Sequence, residues 1–127
     1  MSSNIFSTEN ITTDPRFKKA LSLFNSSNWY LAHDVFEELW HETLGPNRVS
    51  IQALLQISVA QLHLENGNLN GATILYGESL GRLRKAGISN LGLDIDKLSK
   101  CVEERLKLLQ MGQDPEVISV PCLSKRP

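Results

Sequence analysis

Apolar residues recur along most of the chain at the three- and four-residue spacing of one face of an α-helix. Over residues 15–25 they are Phe17, Ala20, Leu21 and Phe24, which predicts a first helix. The same spacing predicts four more helices, at about residues 29–43, 48–65, 69–86 and 94–111. We therefore expect an all-α, single-domain bundle of about five helices, built from two antiparallel helical hairpins and a C-terminal helix.

A weak internal repeat supports the two hairpins. At an offset of 40 residues, Asn28 aligns with Asn68, Ala32 with Ala72 and Phe36 with Tyr76. A helix, a short turn and a small alanine in the next helix are typical of tetratricopeptide-like helical hairpins. These few identities favour two similar hairpins packed together.

The two ends of the chain fall outside the helical pattern. Residues 1–13 are rich in Ser, Thr and Asn, and we expect this polar N-terminal segment to fray or pack loosely. Residues 112–127 contain prolines and are expected to form an extended tail. Val117, Ile118 and Val120 are its candidate contacts with the bundle. The domain is taken as residues 1–127, with these two segments at its ends.

Polar residues interrupt the apolar surface of the second and third predicted helices. The third is apolar nearly all round, which indicates a central and buried element. An unpaired amide or imidazole buried there costs about 1–3 kcal/mol, so partners are expected on the neighbouring helix. The candidate cluster, which we expect to be buried, consists of His33, Glu37, Trp40, Arg48, Gln52, Gln56 and His63.

Three interpretations of this cluster remain open. The favoured one is that the cluster is mainly structural: a network pairs Glu37 with Arg48 or an imidazole and so determines which helices pack together. A metal site could use His33, Glu37 and His63, because an HxxxE spacing puts two ligands on one helical face. A His33–Glu37 pair could also serve acid–base catalysis or ligand binding in a pocket between the helices.

Composition narrows the class of protein. The chain has 13 basic and 14 acidic residues and a formal net charge of −1, so no strong field favours nucleic acid or an anionic membrane. The two cysteines, Cys101 and Cys122, do not suggest a disulfide framework and fit a reducing compartment. Neither a signal peptide nor an apolar run of membrane-spanning length is evident. We expect a cytoplasmic protein.

The order of motifs resembles a known family of small helical bacterial and archaeal proteins, the domain of unknown function 309. The resemblance starts at Phe24-Asn25 and continues through Tyr30, Ala32, His33, Glu37, Trp40, Arg48, Gln52, Gln56, His63, Gly67, Asn68, Gly71 and Ala72. Two departures are Asp34, where Glu is usual, and Ala53, where Gly is frequent. The resemblance implies a helical bundle in which the His, Glu, Trp and Gln positions face one another, and it implies no activity.

The expected function is therefore a non-catalytic helical module that binds a protein partner or a small ligand. The alternative is a metal-assisted or His/Glu-dependent hydrolase with its site between the second and third helices. No cofactor is expected, and a divalent metal held by His33, Glu37 and His63 is the minor possibility. Sequence alone leaves the catalytic residues, the ligand and the oligomeric state undetermined.

Overall fold

The computed structural model describes residues 8–127. Within them the chain forms six α-helices, which are α1 (Thr8–Thr13), α2 (Pro15–Asn25), α3 (Trp29–Glu42), α4 (Pro46–Glu65), α5 (Leu69–Leu83) and α6 (Ile95–Gln110). A short 3-10 turn, Pro115–Val117, follows in the tail. The expected all-α, single-domain fold is confirmed, and the five predicted helices correspond to α2 through α6.

The N-terminal segment differs from expectation where it can be compared. Residues 1–7 lie outside the described residues. Thr8–Thr13 forms a helix, whereas a frayed or loosely packed segment was expected. The side chain of Ile11 is only 7 % exposed. Its burial gives this short helix the apolar contact that its polar neighbours could not supply.

Helix α4 is the central element. It packs against α3 on one side and α5 on the other, and α2 and α6 pack outside those two helices. Phe24, Trp29 and Phe36 form an aromatic group between α2 and α3, with ring centroids of Phe24 and Trp29 4.9 Å apart in an edge-to-face arrangement. Large, fully buried side chains of this kind supply most of the stabilising apolar burial.

The turns of the two hairpins have the same backbone hydrogen bonds. In the first, Asn28 N donates to Leu23 O at 2.8 Å and Ser27 N donates to Phe24 O. In the second, Asn68 N donates to His63 O at 2.8 Å and Gly67 N donates to Leu64 O. Ser27 and Gly67 both adopt left-handed backbone, with φ of 61° and 74°. The two turns, which are 40 residues apart, are therefore equivalent helix ends of the Schellman type.

The tail is held by a buried arginine of α6. Arg105 is 0 % exposed, and its Nη1 donates at 3.1 Å to each of three tail carbonyls, those of Pro115, Ile118 and Ser119. Its Nη2 lies 2.5 Å from Oε1 of Glu116. A buried cation requires this number of acceptors because its desolvation is otherwise strongly unfavourable.

The same arginine reaches two core side chains. Its Nε donates to the hydroxyl of Tyr76 at 2.9 Å, and its Nη2 donates to Oε1 of Gln61 at 3.3 Å. The Tyr76 hydroxyl also donates to Gln61 Oε1. This Arg105 network joins α4, α5, α6 and the tail.

Of the three tail contacts predicted from sequence, only Ile118 has a partly buried side chain. Val117 is 72 % exposed and Val120 is 37 % exposed, because the carbonyls of this segment turn inward to Arg105. Leu123 is buried at 7 % exposure. Its backbone is bonded in both directions by the Asn25 side chain, with Leu123 N donating to Oδ1 at 2.7 Å and Nδ2 donating to Leu123 O at 2.8 Å.

Because the two turns are equivalent, introducing glycine in the first and removing it from the second should change the free energy of unfolding in opposite directions. Ser27→Gly should raise the free energy of unfolding by roughly 0.5–1 kcal/mol, since left-handed backbone is unfavourable for a residue with a Cβ. Gly67→Ala should lower it by about 1 kcal/mol for the same reason. Urea denaturation followed by circular dichroism measures both, and equal signs for the two changes would contradict the equivalence of the turns.

Tyr76 predicts a loss of stability at alkaline pH. Burial raises the pKa of Tyr76 from 10.0 to about 12, an effect that the nearby Arg105 only partly offsets. The folded protein therefore keeps the neutral phenol, and this contribution is complete below pH 10 and declines as the pH rises toward 12. At pH 11 the wild type should have lost about 1.4 kcal/mol that Tyr76→Phe does not lose. Parallel urea-unfolding profiles of the two proteins from pH 8 to 11 would contradict this.

Candidate functional site

The candidate residues of α4 lie on its outward side. Arg48, Gln52, Val59 and His63 are all partly exposed, and at 100° per residue they fall within one narrow sector of the helix. Gln56 borders that sector and is 9 % exposed. Of the α3 candidates, Trp40 contacts Arg48 of α4, and His33 and Glu37 lie on the same side of α3 as Trp40 at 100° per residue. We call this set of positions the motif face. It is defined by His33, Glu37, Trp40, Arg48, Gln52, Gln56 and His63.

Arg48 connects α4 to the end of α3. Its guanidinium carbon lies 3.9 Å from the centroid of the Trp40 ring. Its Nη1 donates to the carbonyls of Trp40 at 3.1 Å and Thr43 at 3.3 Å. A cation placed at the carbonyl end of a helix also interacts favourably with the helix dipole. Arg48 therefore fixes the α3–α4 corner.

Trp40 has one group that this corner does not satisfy. Its indole Nε1 is buried and has no hydrogen-bond partner among the described residues. Such unpaired buried donors are rare in folded proteins. Among the described residues, this buried indole N–H therefore has no acceptor.

Gln56 connects α4 to α5. Its Nε2 donates to Oε1 of Glu78 at 2.8 Å, and its Oε1 accepts from Nη1 of Arg82 at 3.3 Å. Arg82 and Glu78 are one turn apart on α5, with 3.9 Å between Nη1 and Oε1. This amide–carboxylate–guanidinium group satisfies both ends of the Gln56 side chain.

His63 packs at the turn between α4 and α5. Its Nδ1 lies 3.2 Å from Nδ2 of Asn68, and Asn68 caps α5 by accepting from Gly71 N at 2.9 Å. A Cβ on Gly71 would lie 2.9 Å from the His63 ring and 2.7 Å from Asn68 Nδ2. Glycine therefore fits at position 71, because the His63 imidazole and the Asn68 side chain fill the space that a Cβ would need.

Glu37 and Gln52 remain without partners. Glu37 is exposed, and neither side chain forms a hydrogen bond or ion pair with any residue between 8 and 127. His33 is partly exposed, and its Nδ1 lies 3.3 Å from the carbonyl of Tyr30 on its own helix. These three positions leave polar groups open toward solvent.

The acidic residues on the other flank of α3 are paired. Arg16 of α2 donates to both carboxylate oxygens of Glu42 at 2.8 Å, and it also lies 3.6 Å from Glu38. The hydrogen bonds from Arg16 lower the pKa of Glu42. One flank of α3 is thus an ion-paired contact with α2, whereas Glu37 is left open.

The arrangement differs from the buried cluster expected from sequence. Glu37 does not pair with Arg48, whose guanidinium is directed to the end of α3. His63 engages Asn68, and within residues 8–127 no group of three or more His, Cys, Asp or Glu side chains could hold a metal ion. The physical reason is geometric: α4 is flanked by α3 and α5, so its outward sector borders both helices without being covered by either.

Sequence reasoning missed the partners of Gln56. Glu78 and Arg82 follow the i,i+4 spacing of a helical ion pair. This spacing was visible in the sequence, but it did not indicate which neighbouring helix Glu78 and Arg82 face.

Substitutions at Glu37 and Arg48 should differ in their effect on stability. Glu37→Ala should change the free energy of unfolding by no more than about 0.5 kcal/mol, because the side chain is exposed and unbonded. Arg48→Ala should lower it by about 1–2 kcal/mol through loss of the stacking and the two carbonyl bonds. Urea unfolding measures both, with exposed Asp34→Ala as control. A loss of several kcal/mol in Glu37→Ala would show instead that Glu37 is a structural partner.

Comparison with known proteins gives one family. Residues 17–75 match the model of the family described as Domain of unknown function (DUF309), and this segment contains every residue of the motif face. No curated protein matches the chain. None of the helices in residues 8–127 has the length and apolar character that crossing a membrane requires. Residues 17–75 thus match the DUF309 family model, as the motifs of this segment indicated.

Proposed function

We propose that the protein is a non-catalytic helical binding module and that the motif face receives a protein partner. The observation that carries this proposal is the pair of polar side chains on that face that have no partner within the chain. Glu37 is exposed and Gln52 is partly exposed, and neither has a partner among the described residues. Polar groups fixed in place but unsatisfied within the chain are suited to bonds with another molecule.

The supports of the face are rigid. Arg48 holds the α3–α4 corner through Trp40, and Gln56 joins α4 to α5 through Glu78. Because these residues lie on helices and not on loops, the open groups between them keep fixed relative positions. A partner then binds without a large cost of ordering the surface.

The dimensions favour a protein over a small molecule. Arg48 and His63 lie at opposite ends of the part of the motif face that α4 contributes. They are about 22 Å apart along the helix axis at 1.5 Å per residue. Polar groups distributed over such a length contact several residues of a partner, whereas small ligands occupy compact concave sites. Central hydrogen-bonding and aromatic residues are the usual energetic centres of protein interfaces.

A crosslinking experiment tests the proposal. A photoreactive amino acid replaces Val59, which is partly exposed on α4 between Arg48 and His63. The tagged full chain is then irradiated in cell extract. We expect a discrete crosslinked protein, identified by mass spectrometry. The same group placed at exposed Lys100 on α6 should not produce it.

Matched variants decide whether the motif residues cause the binding. Glu37→Gln combined with Gln52→Ala should abolish the crosslink while leaving the melting temperature unchanged. Glu104→Gln, an exposed change on α6, should preserve the crosslink. Persistence of the crosslink in the double variant would reject the motif face. Turnover of a chromogenic ester or phosphate that is lost in His33→Ala would instead support a hydrolase.

A further inference from the structure

A concave site lies on the side of α4 opposite the motif face. It is a cavity of about 400 Å³ between the end of α4, the start of α3 and α5, and the tail. Gln61 lines it, and Gln61 follows Gln52 by nine residues, which is half a turn from it around the helix. The cavity therefore shares no residue with the motif face.

One wall of the cavity is apolar. Trp29, Leu64 and Leu69 line it together with Val120 of the tail. Leu69 is 57 % exposed, so its side chain is accessible at this wall. This wall can accept an apolar side chain of a ligand and remove it from water.

The other wall is acidic. Glu65, Asp114 and Glu116 line the cavity, and Arg105 behind Glu116 is the only cation paired with any of them in residues 8–127. Two carboxylates thus remain in excess. The carbonyl end of α4 adds partial negative charge beside Glu65. The site accordingly favours a cation.

Gln61 adds a donor that no protein group uses. The residue is 3 % exposed, and its Oε1 accepts from both Tyr76 and Arg105. These two donors determine the orientation of the amide. The Nε2 group carries two N–H donors, has no partner among the described residues, and belongs to a side chain that lines the cavity. A carbonyl oxygen of a ligand is the group that it lacks.

We propose that this cavity binds the amino terminus of a peptide. The ammonium group lies among the carboxylates of Glu65, Asp114 and Glu116. The first carbonyl accepts from Gln61 Nε2, and the first side chain, if apolar, packs on Trp29 and Leu64. A free carboxylate next to the ammonium would meet the same acidic wall, so a peptide or an amino-acid amide fits better than a free amino acid.

The minimal probe is L-leucinamide, titrated into the full chain and followed by NMR. We expect saturable shifts of the Gln61 side-chain amide and the Glu116 backbone amide. L-Leucyl-glycyl-glycinamide should bind at least as tightly, because a peptide continues out of the cavity. N-acetyl-L-leucinamide, which lacks the charge, should bind at least fivefold more weakly, as expected for loss of one charge pair near a surface.

Charge variants connect the binding to this cavity. Glu65→Gln and Asp114→Asn should each raise the Kd for leucinamide about fivefold, and Asn at 114 can still cap the following turn. Glu104→Gln, exposed on α6 and outside the cavity, should leave the Kd unchanged. Circular dichroism melting establishes that each variant is folded.

Three results would overturn the proposal. They are the absence of shifts at Gln61 and Glu116 at millimolar leucinamide, equal binding of the acetylated probe, and equal affinities of the Glu65→Gln, Asp114→Asn and Glu104→Gln proteins. Because the cavity and the motif face share no residue, these results leave the proposed partner surface untouched.

Discussion

The burial of Arg105 is the constraint on which the C-terminal half of the structure depends. A guanidinium with no exposed surface is tolerated only if nearly all of its donors are bonded. The required acceptors come from three different parts of the chain, namely Gln61 of α4, Tyr76 of α5 and the tail, which contributes carbonyls and the carboxylate of Glu116. Satisfying this one cation therefore fixes the tail against three helices, and it also places the carboxylate of Glu116 and the amide of Gln61 at the wall of the cavity.

The helices were predictable because their signals are local. Apolar spacing located α2 to α6, and the recurrence at 40 residues corresponds to two turns with equivalent hydrogen bonds. Arg105 was not predicted, although a signal existed: it follows Val102 by three residues and Leu98 by seven, on the buried face of α6. A lone arginine there can equally extend along the margin of a helix to reach water. Only the path of the tail, which depends on long-range contacts such as Asn25 with Leu123, decides between the two.

The grouping of the candidate residues along α4 was predictable, but their burial was not. Spacing placed Arg48, Gln52 and His63 on one side of α4, and the structure retains that grouping. Whether the side faces a neighbour or solvent depends on how α3 and α5 are arranged around α4, which no local pattern specifies. The apolar character of α4 nearly all round favoured burial, since Val59 lies in the same sector and Leu55 and Leu62 border it. In the structure these residues are only partly covered, so their apolar character did not indicate a sealed interface.

The distribution of contacts separates residues that build the fold from residues that it presents. Arg48, Gln56, His63 and Gly71 each contact a neighbouring helix or turn, and their positions follow from packing alone. The side chains of Glu37 and Gln52, in contrast, form no hydrogen bond or ion pair within the described chain. An exposed, unbonded side chain adds little to stability, so the fold itself gives no reason for a carboxylate and an amide at these positions. In the proposed function these two side chains contact the partner, and the frame around them fixes where that contact takes place.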